Sequence, residues 1–160
     1  MQKTKNDQPE KVRKPVAELL QARLADAIDL QTQLKQAHWN IKGPHFIGLH
    51  ELFDKINEDV EDYVDEIAER AVQLGAVVQG TARSVAKQSS LSEYPLKITR
   101  DFDHVDAVSD ALAAFGKNVR AAIDKSDELG DAVTADLFTE ISRGTDKWLW
   151  FVEAHIPAKD

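Results

Sequence analysis

Four stretches of the chain repeat apolar residues at intervals of three and four, the spacing of an amphipathic helix. The first begins near Pro15, a favoured first-turn residue, and passes through Leu20, Leu24, Ala27 and Leu34 to about Trp39. "NIKGP", with Gly43 and Pro44, then breaks the chain. The second stretch runs from about His45 to Leu74 through Leu49, Phe53, Ile56, Val60, Val64, Ile67 and Ala71. The third covers about Asp101 to Ser126, and the fourth about Asp131 to Ile156. Short turns join the first to the second and the third to the fourth, which makes each pair antiparallel neighbours.

Between the second and third stretches lie about 25 residues with Gly75, Gly80, "SSLSEYP" and Pro95. A structureless loop of that length is uncommon in a compact domain. The spacing predicts a short helix around Ala82–Gln88 and a segment able to travel the length of a bundle. The expected fold is therefore all-α: a four-helix bundle with one long crossover between helices 2 and 3, an arrangement similar to the ferritin-like fold.

The chain has 160 residues, enough for one domain with a real core. It has no cysteine, so any metal must sit on His, Asp or Glu. Residues 1–15 carry five basic side chains, Lys3, Lys5, Lys11, Arg13 and Lys14, against Asp7 and Glu10, a net of +3. The total is −8, leaving −11 on the rest. We expect a flexible basic tail over 1–14 and the bundle over 15–157. Such a tail either reaches for nucleic acid or stays solvated. The opening residues lack the apolar run of a secretory signal, and no stretch is long and apolar enough to span a bilayer. A cytoplasmic protein is expected, with association to the nucleoid open.

The second helix carries an unusual face. At about 100° per residue, and with His50 as zero, Asp54 falls near 40°, Glu61 near 20°, Asp65 near 60° and Glu69 near 100°. Leu52, Phe53, Ile56, Val60, Ile67, Ala71 and Leu74 cluster between about 200° and 300°. From His50 to Glu69 there are nine acidic residues and one lysine. An exposed helix is normally helped by alternating charges, and like charges at three and four residues destabilise it. The face either meets water at that cost or meets a cation. One imidazole and several carboxylates, with His50/Asp54 and Asp65/Glu69 as i,i+4 pairs, suit iron, manganese or zinc. Hydrolysis by a carboxylate pair is not expected, because an outward stripe offers neither a cleft nor an apolar pocket.

His38 continues the apolar stripe of the first helix, as a satisfied core histidine would; at a subunit contact it would face a neighbour's carboxylates. His45, His104 and His155 read as surface or helix-end residues. Trp39, Trp148 and Trp150 read as packing residues.

"HWNIKGPHFIGLHELFD" with "DEIAER", followed by "AVQLG", "GTARSV", "YPL" and "DKWLWFVEAHI", resembles the Dps family, the mini-ferritins. The likeness covers nearly all of the chain beyond residue 15. It implies ferroxidase sites shared between two subunits, with His38, His50 and Asp54 from one chain facing Asp65 and Glu69 from the other. It implies hollow dodecamers that oxidise Fe(II), with hydrogen peroxide preferred over oxygen, store ferric mineral and protect against oxidative stress. Trp39 would be an electron donor beside the site, although packing explains it equally. Asp131, Asp136 and Glu140 would line an iron-access pore, although Asp131 also suits a helix N-cap. Some relatives condense DNA through lysine-rich tails; here the −11 body repels phosphate, and strong binding at physiological salt is not favoured. Ordinary di-iron bundles use Glu-x-x-His motifs pointing inward, and this sequence has none.

Overall fold

The computed structural model describes residues 1–156 and contains five helices: α1 (Glu10–Asn40), α2 (Phe46–Gln73), α3 (Ala82–Gln88), α4 (Asp101–Leu129) and α5 (Ala132–Glu153). Among the described residues the only extended pairing is an isolated bridge between Lys42 and Arg100. The fold is the expected all-α bundle. α1 packs along α2 and α4 along α5, while α1 also meets α4 and α3. The crossover from Leu74 to Arg100 carries α3 where the sequence places it. Residue 157, the expected end of the bundle, lies outside the described residues.

The core is a continuous apolar column. Leu20, Leu24, Leu30 and Leu34 of α1 meet Leu49, Phe53, Ile56 and Ile67 of α2, with Leu112 and Phe115 of α4 and Phe138 of α5. Each such side chain contributes roughly 1.5–3 kcal/mol on burial. Asp26 of α1 is buried in this column and holds the crossover down. It pairs with Arg23 at 3.0 Å and accepts from the Ser90 amide at 2.7 Å and from Asn118 Nδ2 at 3.1 Å.

Three helix ends differ from the sequence reading, and the simplest is α5, which stops at Glu153 short of Ile156. α4 runs past Ser126 to Leu129, where Gly130, at φ +83°, turns the chain in the left-handed region and lets the Asp131 amide donate to Ser126 O at 2.9 Å. α1 begins at Glu10, five residues before Pro15, so the expected free tail over 1–14 is corrected. A proline there forfeits one intrahelical hydrogen bond. Tertiary contacts compensate: Arg13 Nη1 donates to Leu74 O at 2.7 Å and its Nε to Gln8 O at 2.9 Å, while the Gln2 amide donates to Gly75 O at 2.6 Å. Arg13 thereby caps the carbonyl end of α2 and is not free for phosphate.

Candidate metal centre

The turn from Ile41 to His45 brings the end of α1 against the start of α2. Gly43 has φ +147°, and a Cβ there would sit 2.5 Å from the Asp101 carboxylate, so only glycine fits. The Lys42 amide donates to Thr99 O at 2.9 Å, tying the turn to the approach of α4.

Across this turn His38, in the last turn of α1, stacks on His50, in the second turn of α2, with ring centroids 3.7 Å apart. Each imidazole bonds to the other residue's backbone: His38 Nδ1 to His50 O at 2.8 Å, and His50 Nδ1 to His38 O at 2.8 Å. A carbonyl only accepts, so both rings carry their proton on Nδ1. Both Nε2 lone pairs are thus left for a ligand, the orientation that partners of metal-binding histidines impose. The half-buried His38 is therefore paired, not a core histidine of α1.

Asp54 lies one turn beyond His50 and forms an ion pair with Lys35 of α1. The Lys35 hydrogen bond pulls its carboxyl below the usual range against partial desolvation, and the charge of Lys35 adds to the lowering. Lys35 escapes the sequence reading because it is on a different helix, 19 residues from Asp54. Its position three residues before His38 was the available signal.

Asp65 and Glu69 are exposed on the same face of α2. At 1.5 Å per residue, Asp65 stands about 16 Å along the helix from Asp54. One chain does not bring all five side chains together, and among the described residues no group of three or more His, Asp or Glu forms a metal-holding cluster.

The outward stripe is symmetric. His50 and Glu69 are equidistant along α2 from the point between Asp59 and Val60, and so are Asp54 and Asp65. The same holds for Ile47 and Val72, which fall near 60° and 40° on the wheel. Both are apolar yet 62% and 50% exposed.

The other assigned residues divide. Asp131 is fully buried and N-caps α5, accepting from the Thr134 amide at 3.3 Å and from Arg70 Nη2 at 2.9 Å. That corrects its placement in a pore, since a sealed carboxylate already matched by a guanidinium cannot attract a passing cation. Asp136 and Glu140 are exposed on α5. Glu140 faces α2 near Glu66 and Tyr63. Desolvation first, then Glu140, Asp62 and Asp65, raise the Glu66 carboxyl; desolvation and the surrounding acids push the Tyr63 phenol up to about 12.

Trp39 and Trp150 are 69% and 66% exposed, so neither is a core residue, Trp150 meeting Phe151 edge-to-face; Trp148 is buried, and its Nε1 donates to Asp59 at 2.7 Å. His104 is not a surface residue. It is 1% exposed, bonded through Nδ1 to the Tyr94 hydroxyl at 2.7 Å, and held neutral by burial.

The sequence matches the ferritin-like domain family over residues 17–158. A DNA protection during starvation protein of Agrobacterium fabrum is 46% identical over 157 residues, covering 98% of this chain and 97% of the relative. A protein of the same description from Mycolicibacterium smegmatis is 36% identical over 141 residues, covering 88% of this chain and 76% of its own. A tetragonal-form structure of Mycobacterium smegmatis Dps superposes with a TM-score of 0.93 at 34% identity, covering 99% of this chain and 95% of that one.

Proposed function

The chain belongs to the Dps family of ferritin-like proteins, and on that footing we propose that it is a ferroxidase and iron-storage protein whose catalytic site is shared by two subunits. The symmetry of the α2 stripe carries this reading. Two copies of α2 laid antiparallel about a two-fold axis at the Asp59–Val60 level bring His50 opposite Glu69 of the partner subunit and Asp54 opposite Asp65 of the partner subunit. The exposed Ile47 and Val72 would then close the two ends of the contact. One operation assembles a five-residue set that a single protomer cannot form.

In this arrangement His38 and His50 offer Nε2 to Fe(II), and the carboxylates favour the harder Fe(III) product. Two iron ions each release one electron to hydrogen peroxide, which takes two protons and leaves as two waters; dioxygen is the alternative acceptor. Zinc and manganese suit the same donors. Lys35 fills the place of the cation beside Asp54 until iron displaces it. Trp39, exposed next to His38, is positioned in sequence to supply an electron if oxidant outruns iron.

The product is held as ferric mineral inside a hollow homo-oligomer, a dodecamer by family likeness, protecting the cell from peroxide. Asp136 and Glu140 remain the acidic residues proposed for the iron-access pore, where negative charge concentrates Fe(II). The cytoplasm is the proposed compartment, and no described helix is long and apolar enough to cross a membrane. The alternative of a DNA-packaging protein with a secondary metal site is disfavoured by the docking of Gln2, Gln8 and Arg13 onto the body.

The test is complementation. A His38→Ala/His50→Ala chain and an Asp65→Asn/Glu69→Gln chain should each oxidise Fe(II) no faster than a protein-free control. Co-assembled at equal amounts, half the dimers are mixed and each has one intact site, so about a quarter of wild-type activity returns. No recovery in verified mixed assemblies would place the ligands within one chain and end the proposal.

A further inference from the structure

The stacked histidines depend on the position of α1 relative to α2. Two reciprocal hydrogen bonds of 2.8 Å tolerate only a few tenths of an ångström before one leaves the favourable range. The long apolar contact between α1 and α2 sets their approach along most of their length. The turn between His38 and His50 closes that contact at its end, and it is pinned from outside the pair.

Asp101 is the first residue of α4 and only 5% exposed. Its Oδ1 accepts from the adjacent Phe102 amide at 2.9 Å, as a helix-start carboxylate commonly does. Its Oδ2 leaves the helix and takes two donors from His45, Nδ1 at 2.8 Å and the backbone amide at 3.3 Å. The same carboxylate lies directly beneath Gly43. His45 is the residue at which α2 begins, and its ring rests 5.2 Å from that of Phe102. One side chain on a third helix therefore grips both the turn and the first residue of α2.

We propose that Asp101, acting through His45 and the Gly43 turn, is a positioning residue for the His38–His50 pair, setting the register in which each imidazole binds the other's carbonyl and presents Nε2 outward. It is not a ligand. The inference deepens the iron-site reading and rests on it for its purpose, but the geometry it describes exists without metal.

The experiment reads that geometry directly. In metal-free assemblies labelled with ¹⁵N-histidine, solid-state NMR should resolve the His38 and His50 imidazoles, assigned by His38→Ala and His50→Ala, each with the proton on Nδ1. Asp101→Ala should lose that signature and weaken anaerobic Fe(II) binding by about tenfold or more, the usual effect of removing a group that orients a ligand. Asp101→Asn should recover most of both, because its amide oxygen can replace Oδ2 and accept from both His45 donors. If Asp101→Ala fails to assemble, His45→Ala decides, with the same loss of signature expected. Retention of both Nδ1 protons and of Fe(II) affinity in an assembled variant would overturn the proposal, as would their absence in the wild type. Wild-type protein that shows the signature but does not oxidise iron would sink the ferroxidase reading and leave the positioning role standing.

Discussion

At Asp54 the proposed iron site sets two cations against one carboxylate. Lys35 is bound there in the protein as it stands, and in that proposed site Fe(II) must displace it. Both side chains are partly exposed, so solvent screens the pair and its worth is at most about 1 kcal/mol. Lys35→Gln should therefore tighten anaerobic Fe(II) binding several-fold, up to about fivefold, with the gain shrinking as salt rises. Unchanged or weaker binding in isothermal titration would show that the lysine helps iron in instead of holding its place. The sequence made His50, Asp54, Asp65 and Glu69 legible because one helix sets their spacing. It hid Lys35, and it misplaced His104 and Trp39, because burial of a polar or aromatic side chain depends on which other helix arrives. His104 is buried because Tyr94 comes down from the crossover to meet it; Trp39 is exposed because nothing within the chain covers the end of α1.

At the scale of elements, the α4–α5 turn gathers three parts of the chain onto one carboxylate. Asp131 caps α5, and Arg70 of α2 and Gln8 reach it from two other parts of the chain. Burial alone would raise its carboxyl; hydrogen bonds from Thr134, Arg70 and Gln8 outweigh burial, and the net shift is downward. A carboxylate lowered on folding stabilises the protein above its unfolded value, about 3.9, and that contribution disappears as pH falls through the lower folded value. Asp131→Asn should lower the melting temperature at neutral pH and flatten the loss of stability below about pH 4. An acid-denaturation curve parallel to the wild type would contradict this. Helix bounds followed the same logic. Periodicity located the four long helices and the length of the crossover suggested α3, but the start of α1 was set by Arg13 and Gln2 gripping the end of α2, long-range bonds that no local pattern announces.

For the molecule as a whole, the acidic stripe of α2 makes metal and assembly thermodynamic partners. A lone chain exposes acids that repel one another, together with Ile47, Val72 and Trp39, which have no cover. If the site is shared, metal binds the dimer better than the protomer and must hold it together. Zn(II), which does not change oxidation state, at a hundredfold over its dissociation constant would add about 2.7 kcal/mol per site against dissociation. Mass photometry on dilution should find the dimer surviving to lower concentration with Zn(II) and falling apart sooner with a chelator. No metal dependence would mean that the carboxylates do not cross the interface. The topology was legible from loop lengths, whereas the completion of the proposed site cannot be read from one chain, because the proposed dimer draws its second half from another copy.

The equal spacing about Asp59 and Val60 also constrains how such a helix can change over generations. In the proposed dimer one gene writes both walls of the contact, so a new side chain at position 47 alters what position 72 meets, twice over in every dimer. The two ends of α2, far apart in the protomer, are bound to drift together.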